Sequence, residues 1–214
     1  MSKRSLIDRI LGGRWLKPAV FVAALLPLGW LIFDALRGEL GANPIEEVIH
    51  RTGLWALRLL LLTLAMSPLR RLTGRGEWLR LRRMLGLFAF FYATLHLLSW
   101  VVLDQFFDWP MMLEEILRHP YITVGMAAWL LLVPLAVTST QGMMRRLGRR
   151  WKALHSLVYV IAVLGVLHFV WLVKADVREP LIYLAILAVL LVLRLDQRFG
   201  ARLISSRSRY STQR

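Results

Sequence analysis

The sequence contains no cysteine. That excludes disulfides, thiolate-held zinc and cysteine-ligated iron–sulfur clusters, and leaves histidine as the one good soft-to-borderline metal ligand. Acid is scarce too: 13 Asp and Glu stand against 28 Lys and Arg, for a formal net charge of +15. A charge of that size raises nucleic acid as a partner, so its placement has to decide. The basic residues sit in short clusters between long apolar runs, which is a membrane pattern. Apolar residues are abundant, with 57% of the 214 residues hydrophobic and a mean hydropathy of +0.56. A soluble domain averages roughly 45–50% even with glycine counted in. No internal repeat, linker or low-complexity run is visible apart from the irregular-looking tail SSRSRYSTQR.

Six apolar segments follow one another: 18–33, 52–69, 84–103, 120–144, 153–173 and 180–193. A spanning helix needs about 20 apolar residues, with a range of about 17–25. The third, fourth and fifth meet that outright. The second does so with one arginine, Arg58, near an end, and the first and last need their flanks. The first follows basic residues as a signal peptide would, but no small-residue cleavage site comes after it, so it reads as a retained helix. Lysine and arginine set the orientation. The N-terminal tail, the second-to-third and fourth-to-fifth connections and the C-terminal tail hold 22 of them, and the intervening loops hold five. The expectation is an all-α membrane protein, a bundle of six transmembrane helices with both termini cytoplasmic. Residues 1–17 form a cytoplasmic segment, 18–196 the membrane domain and 197–214 a basic cytoplasmic tail. The tryptophans fall near the expected interfaces, as an aromatic belt does.

Histidine carries what chemistry remains. His96, in FYATLHLLSW, lies about twelve residues into the third segment, and His168 about fifteen into the fifth. Both segments run from cytoplasm to periplasm, so the two imidazoles share a depth in the outer half of the bilayer. An unpaired polar group in hydrocarbon costs roughly 2–7 kcal/mol, so each ring needs partners. One reading makes them hydrogen-bonded glue between helices; the other makes them cofactor ligands. Two histidines at matched depth on different helices favour ligation. No nearby acid or cysteine completes a zinc tetrahedron, whereas haem iron takes two opposed imidazoles and its porphyrin suits apolar helix faces.

The other candidates are more evenly balanced. His155 sits about 20 Å from His168 along the axis and about 140° around an ideal helix, so a headgroup or water contact competes with ligation. His50, beside Glu46 and Glu47, reads as a solvated residue of the first periplasmic loop, and His119 as interfacial. Arg58, expected a turn or so inside the periplasmic end of the second helix, is a candidate propionate contact or a snorkelling side chain. Arg82 and Arg83 open the third helix as candidate propionate or phosphate contacts, although the topology rule already accounts for them. A histidine-relay proton channel or transporter is the competing function. It calls for acids within the helices, and Asp and Glu are confined to ends and loops.

The stretches GANPIEEVIHRTG, LRRMLGLFAFFYATLH, HPYITVG, TSTQGMMRRLGRRWKALHSLVYV and VLHFVW occur in an order and spacing that resembles the ferric-reductase-like transmembrane family. The likeness is to its haem-binding subunits from bacterial methionine sulfoxide reductase systems, and it covers nearly the whole chain. It implies haem b, one or two, with iron ligated by His96, His155 and His168. In larger family members two helices each supply two histidines for two stacked haems. Here the third helix has only His96, with Arg82 and Arg83 nearer the cytoplasm, so the partner of His155 stays open. The resemblance further implies FMN as a cofactor and quinol or a cytoplasmic flavin reductase as electron donor. The acceptor would be a periplasmic molybdoprotein of the MsrP type that repairs oxidised envelope proteins. The flavin and nicotinamide domains of the larger relatives are not in this sequence, so electrons arrive from a separate donor. On that reading the chain is an electron-transfer subunit of the bacterial inner membrane, with the sulfoxide-reducing site on its partner.

Overall fold

Helix ends in this chain are set by a few polar residues and glycines. The structure, a computed structural model, describes residues 15–173 and 176–211, with side chains described as far as Arg194. Helix α1 (Leu16–Arg37) stops at Gly38, whose φ of 70° is the left-handed conformation that closes a helix. Helix α2 (Pro44–Thr73) starts from Asn43, whose side chain accepts the Glu46 N–H at 3.3 Å. Pro44 and the acidic pair Glu46 and Glu47 suit the first turn. Helix α3 (Glu77–Ser99) runs into a π-helical turn, Trp100–Asp104. Asp108 caps the short α4 (Trp109–Arg118) by accepting the Met111 N–H at 3.0 Å. The rest are α5 (Pro120–Val137), α6 (Gln141–Leu147), α7 (Arg149–His155), α8 (Val158–Leu172) and α9 (Arg178–Ser211). Every regular element among the described residues is helical.

Five stretches are long and apolar enough to cross a membrane: Leu16–Arg37, Pro44–Thr73, Glu77–Asp104, Pro120–Val137 and Arg149–Leu172. The chain is a multi-pass membrane protein. The expected sixth segment, 180–193, lies inside α9, which continues to Ser211 through most of the tail that reads as irregular. A helix nucleated by an apolar segment extends at little cost per residue.

Helix α2 differs from expectation in a way that matters for the site. It begins eight residues before its apolar run, because Asn43 and Pro44 start a helix whatever the polarity that follows. His50 therefore belongs to a helix and not to a loop. Arg58 stands midway along that helix instead of a turn from its end. There it donates from Nε to the Tyr183 hydroxyl (2.7 Å), approaches Glu179 at 3.7 Å and lies over the Trp55 ring, so it braces α9 against α2.

Helices α2, α3, α5 and α8 pack in a closed ring, α2 on α3, α3 on α5, α5 on α8 and α8 back on α2. Ala89, Tyr92, Ile161, Ala162 and Val166 are almost wholly buried within the packed core. Helix α1 rests on α2 and α3, and α9 on α8 and α2. One contact explains how α1 tolerates Pro27. The Tyr92 hydroxyl accepts from Leu28 N–H (3.2 Å) and donates to the Ala24 carbonyl (2.8 Å), bridging a pair four residues apart beside the proline. Asp34, buried near the end of α1, takes an ion pair from Arg51, which also reaches Glu47.

Candidate functional site

The ring of four helices brings His96 and His168 together. Their imidazole centroids are 6.0 Å apart, with ring planes inclined at 75°. His96 lies eight residues before the end of the Glu77–Asp104 span, and His168 four before the end of α8, so the pair sits about one to two turns inside one face of the bundle. Both side chains are half-buried.

Each imidazole is held the same way. His96 Nδ1 lies 2.8 Å from the carbonyl of Ile49 on α2, and His168 Nδ1 lies 2.6 Å from the carbonyl of Tyr121 on α5. A carbonyl can only accept, so both Nδ1 atoms carry the proton and both Nε2 atoms keep a free lone pair. Neither Nε2 has a hydrogen-bond partner among the described residues. In a helix the carbonyl of residue 49 already takes the N–H of residue 53, and a side chain reaches its second lone pair only if residue 53 leaves room. Residue 53 is glycine. A Cβ there would lie 2.9 Å from Cε1 and Nδ1 of His96. The same holds at Gly125, where a Cβ would lie 2.7 Å from Nδ1 of His168.

This is a structural repeat. Both histidine-to-carbonyl bonds span 47 residues, and Ile49, Gly53 and His96 each recur 72 positions later as Tyr121, Gly125 and His168. The helix pair α2–α3 is matched by α5–α8, with the imidazoles meeting between them. No repeat is visible in the sequence because only a carbonyl, a glycine and a histidine need to recur, and carbonyls leave no trace in side chains.

His155 stands apart from this pair. The α-helical hydrogen-bonding pattern is interrupted at Ser156 and Leu157, which keep right-handed helical backbone angles, so α7 and α8 follow one another within the Arg149–Leu172 span. His155 Nε2 lies 3.0 Å from the hydroxyl of Thr138, which itself donates to the Pro134 carbonyl at 2.6 Å. The hydroxyl has one proton, so here it accepts from Nε2–H and leaves Nδ1 as the free nitrogen of His155. Trp151 stacks on the ring at 3.9 Å and donates its indole N–H to the Thr138 carbonyl. In the 72-residue register the counterpart of His155 is Arg83, so the first helix pair has no second histidine to match it.

The remaining candidates are placed as follows. Arg82 lies within electrostatic reach of His155. Arg83 lines a groove between α1 and α3, and Arg58 is committed to α9. His50 is exposed one turn before Gly53, its ring 6.2 Å from that of Phe169, next in sequence to His168. His119 joins α4 to α5 with Nδ1 2.9 Å from Glu115. Gly53, Gly125 and the two carbonyls escape a reading based on side-chain chemistry, although both glycines fall in stretches that carry the family resemblance.

The donor set can be tested against haem. An imidazole nitrogen lies about 2 Å from a bound first-row metal and its ring centre about 1 Å beyond, so imidazoles on opposite sides of one iron have centroids about 6 Å apart. The observed separation is 6.0 Å. Among the described residues no three His, Cys, Asp or Glu side chains converge as a metal cage. A pair of imidazoles suits a metal that brings its own equatorial ligands. The residues present fit.

Residues 52–166 match the family described as ferric reductase like transmembrane component. His96 and His155 fall inside that match and His168 lies two residues beyond it. The chain is 56% identical over 197 residues to the "Protein-methionine-sulfoxide reductase heme-binding subunit MsrQ" of Xanthomonas axonopodis pv. citri, covering 89% of this chain and 90% of that protein. It is 61% identical over 178 residues to the protein of the same name from Rhodospirillum rubrum, covering 83% and 86%.

Proposed function

The chain belongs to the ferric reductase-like transmembrane family, among its MsrQ haem-binding subunits, and on that premise we propose that it carries electrons through haem b held between His96 and His168. The observation that carries this reading is the imidazole pair, 6.0 Å apart with both Nδ1 atoms bonded to backbone carbonyls. Haem bound there supplies a one-electron ferric–ferrous couple. The carbonyls of Ile49 and Tyr121 lock each ring in the tautomer that presents Nε2, and their pull on the Nδ1 proton makes Nε2 a stronger donor. Gly53 and Gly125 make that contact sterically open. The apolar faces of the four-helix ring restrict water, which together with the ligands tunes the potential.

On this reading electrons leave on the periplasmic side, to a molybdoprotein of the MsrP type that carries out the sulfoxide reduction; the place of the pair, near the face opposite the basic clusters, supports that exit. They enter from quinol or a cytoplasmic flavin reductase. His155 belongs to a separate inner site, where Nδ1 is the nitrogen left to bind. FMN is implied by the family resemblance, and no residue is assigned to it. Protein purified from haem-replete cells is expected to show b-type absorption bands. The haem should extract into acidified organic solvent, since without cysteine the chain cannot attach it through thioethers. A colourless preparation from such cells would refute the reading.

We further propose six spans in the bacterial inner membrane, with both termini cytoplasmic and 180–193 as the last crossing. The support is the distribution of 22 basic residues against five. A reporter fused at the C-terminus is expected to be active only in its cytoplasmic form. Periplasmic activity there would mean that α9 does not cross.

A further inference from the structure

Helices α1 and α3 lie side by side and in step from the basic end of the bundle: Phe21 meets Phe88 edge-on at 5.1 Å, and Tyr92 reaches Ala24. Between them runs an open groove of about 550 Å³. Its mouth carries three cations, Lys17 from α1 and Arg80 and Arg83 from α3. None of the three has an ion pair or hydrogen bond among the described residues. Beyond the mouth the walls are apolar, with Phe21 and Leu25 facing Leu87, Phe88 and Phe91.

We propose that this groove is a binding site for one anionic phospholipid, its phosphate on Lys17, Arg80 and Arg83 and an acyl chain along the aromatic wall. Two features select that occupant. Three uncompensated cations at one end call for an anion, which a neutral quinone does not supply. The apolar length then excludes a free phosphate ion: Arg80 to Phe91 is eleven residues, a rise of about 16 Å, and half of a roughly 30 Å hydrocarbon core is one leaflet. A molecule with an anionic head and a tail one leaflet long matches both ends. The cations are worth about fivefold each in preference for an anionic over a zwitterionic lipid. The proposal rests on membrane embedding and is independent of haem.

The test compares lipids on the intact protein in phosphatidylcholine vesicles. Spin-labelled phosphatidylglycerol is expected to be motionally restricted with a preference of about tenfold or more over spin-labelled phosphatidylcholine. The combined variant Lys17→Gln, Arg80→Gln should lose most of that preference while the b-type absorption band persists. Native mass spectrometry of the detergent-purified protein should likewise find phosphatidylglycerol or cardiolipin on the wild type and not on the variant. Equal restriction of the two lipids by the wild-type protein overturns the proposal, and this measurement needs no variant to fold. So does displacement of the labelled lipid by inorganic phosphate, or loss of a flavin phosphate instead of lipid from the variant. Absence of haem from a protein that still selects phosphatidylglycerol would count against the proposed function and leave the lipid site standing.

Discussion

Alanine at His96 is expected to erase the low-spin haem absorption of the purified protein, and alanine at His168 to erase the same band. The reason is geometric. The two imidazoles, their centroids 6.0 Å apart, would together hold one haem iron, so removal of either ring would leave that iron one ligand short and no longer low-spin. The double variant should therefore lose little beyond either single one, which is the non-additivity of two groups acting on one atom. His155→Ala should leave that band in place, because its ring is bonded to Thr138 and stacked on Trp151, about 20 Å from His168 along the axis. Absorption and electron paramagnetic resonance spectra of the four variants, each at matched protein concentration, decide the matter. If His155→Ala and His96→Ala remove one identical signal while His168→Ala spares it, the pairing is wrong.

Depth was legible in the sequence because helix rise is nearly constant. Positions twelve and fifteen residues into two parallel segments differ by only about 4–5 Å, and the rings do meet. The interruption of α-helical hydrogen bonding at Ser156 and Leu157 was not legible, because no proline or glycine stands there to announce it. The start of α2 was hidden for a different reason. Hydropathy finds where lipid-facing side chains begin, whereas Asn43 and Pro44 decide where hydrogen bonding begins, and the two differ by eight residues. That difference moved Arg58 from a membrane edge to mid-helix and His50 from a loop to the flank of the imidazole pair. The shared device of α2 and α5, a main-chain acceptor exposed by a glycine, has no side-chain signature beyond two glycines that each precede a histidine by 43 residues.

That device yields the second large effect. Gly125→Ala would set a Cβ 2.7 Å from Nδ1 of His168, and Gly53→Ala one 2.9 Å from Nδ1 of His96. Neither ring can yield by swinging a flexible end, since the nitrogen in contact is the one bonded to the carbonyl. The imidazole must withdraw, which breaks the Nδ1–H···O=C bond, or the helices must part, at an overpacking cost of about 1–3 kcal/mol. Loss of such a supporting bond typically weakens metal binding by about 10–100-fold, and haem affinity is expected to fall by that order in each variant. With less pull on Nδ1–H the imidazole is a poorer donor, ferric iron is less stabilised, and the midpoint potential of the haem that remains should rise. Gly165→Ala provides the control. It lies on the same helix three residues before His168, but its Cβ would meet only the Leu57 Cδ1 at 3.7 Å, an ordinary contact, and neither haem affinity nor potential should change. Haem titration of the apoprotein and redox potentiometry of the three variants read both quantities. Wild-type affinity and potential in Gly53→Ala and Gly125→Ala would mean that the carbonyl bonds do not position the imidazoles.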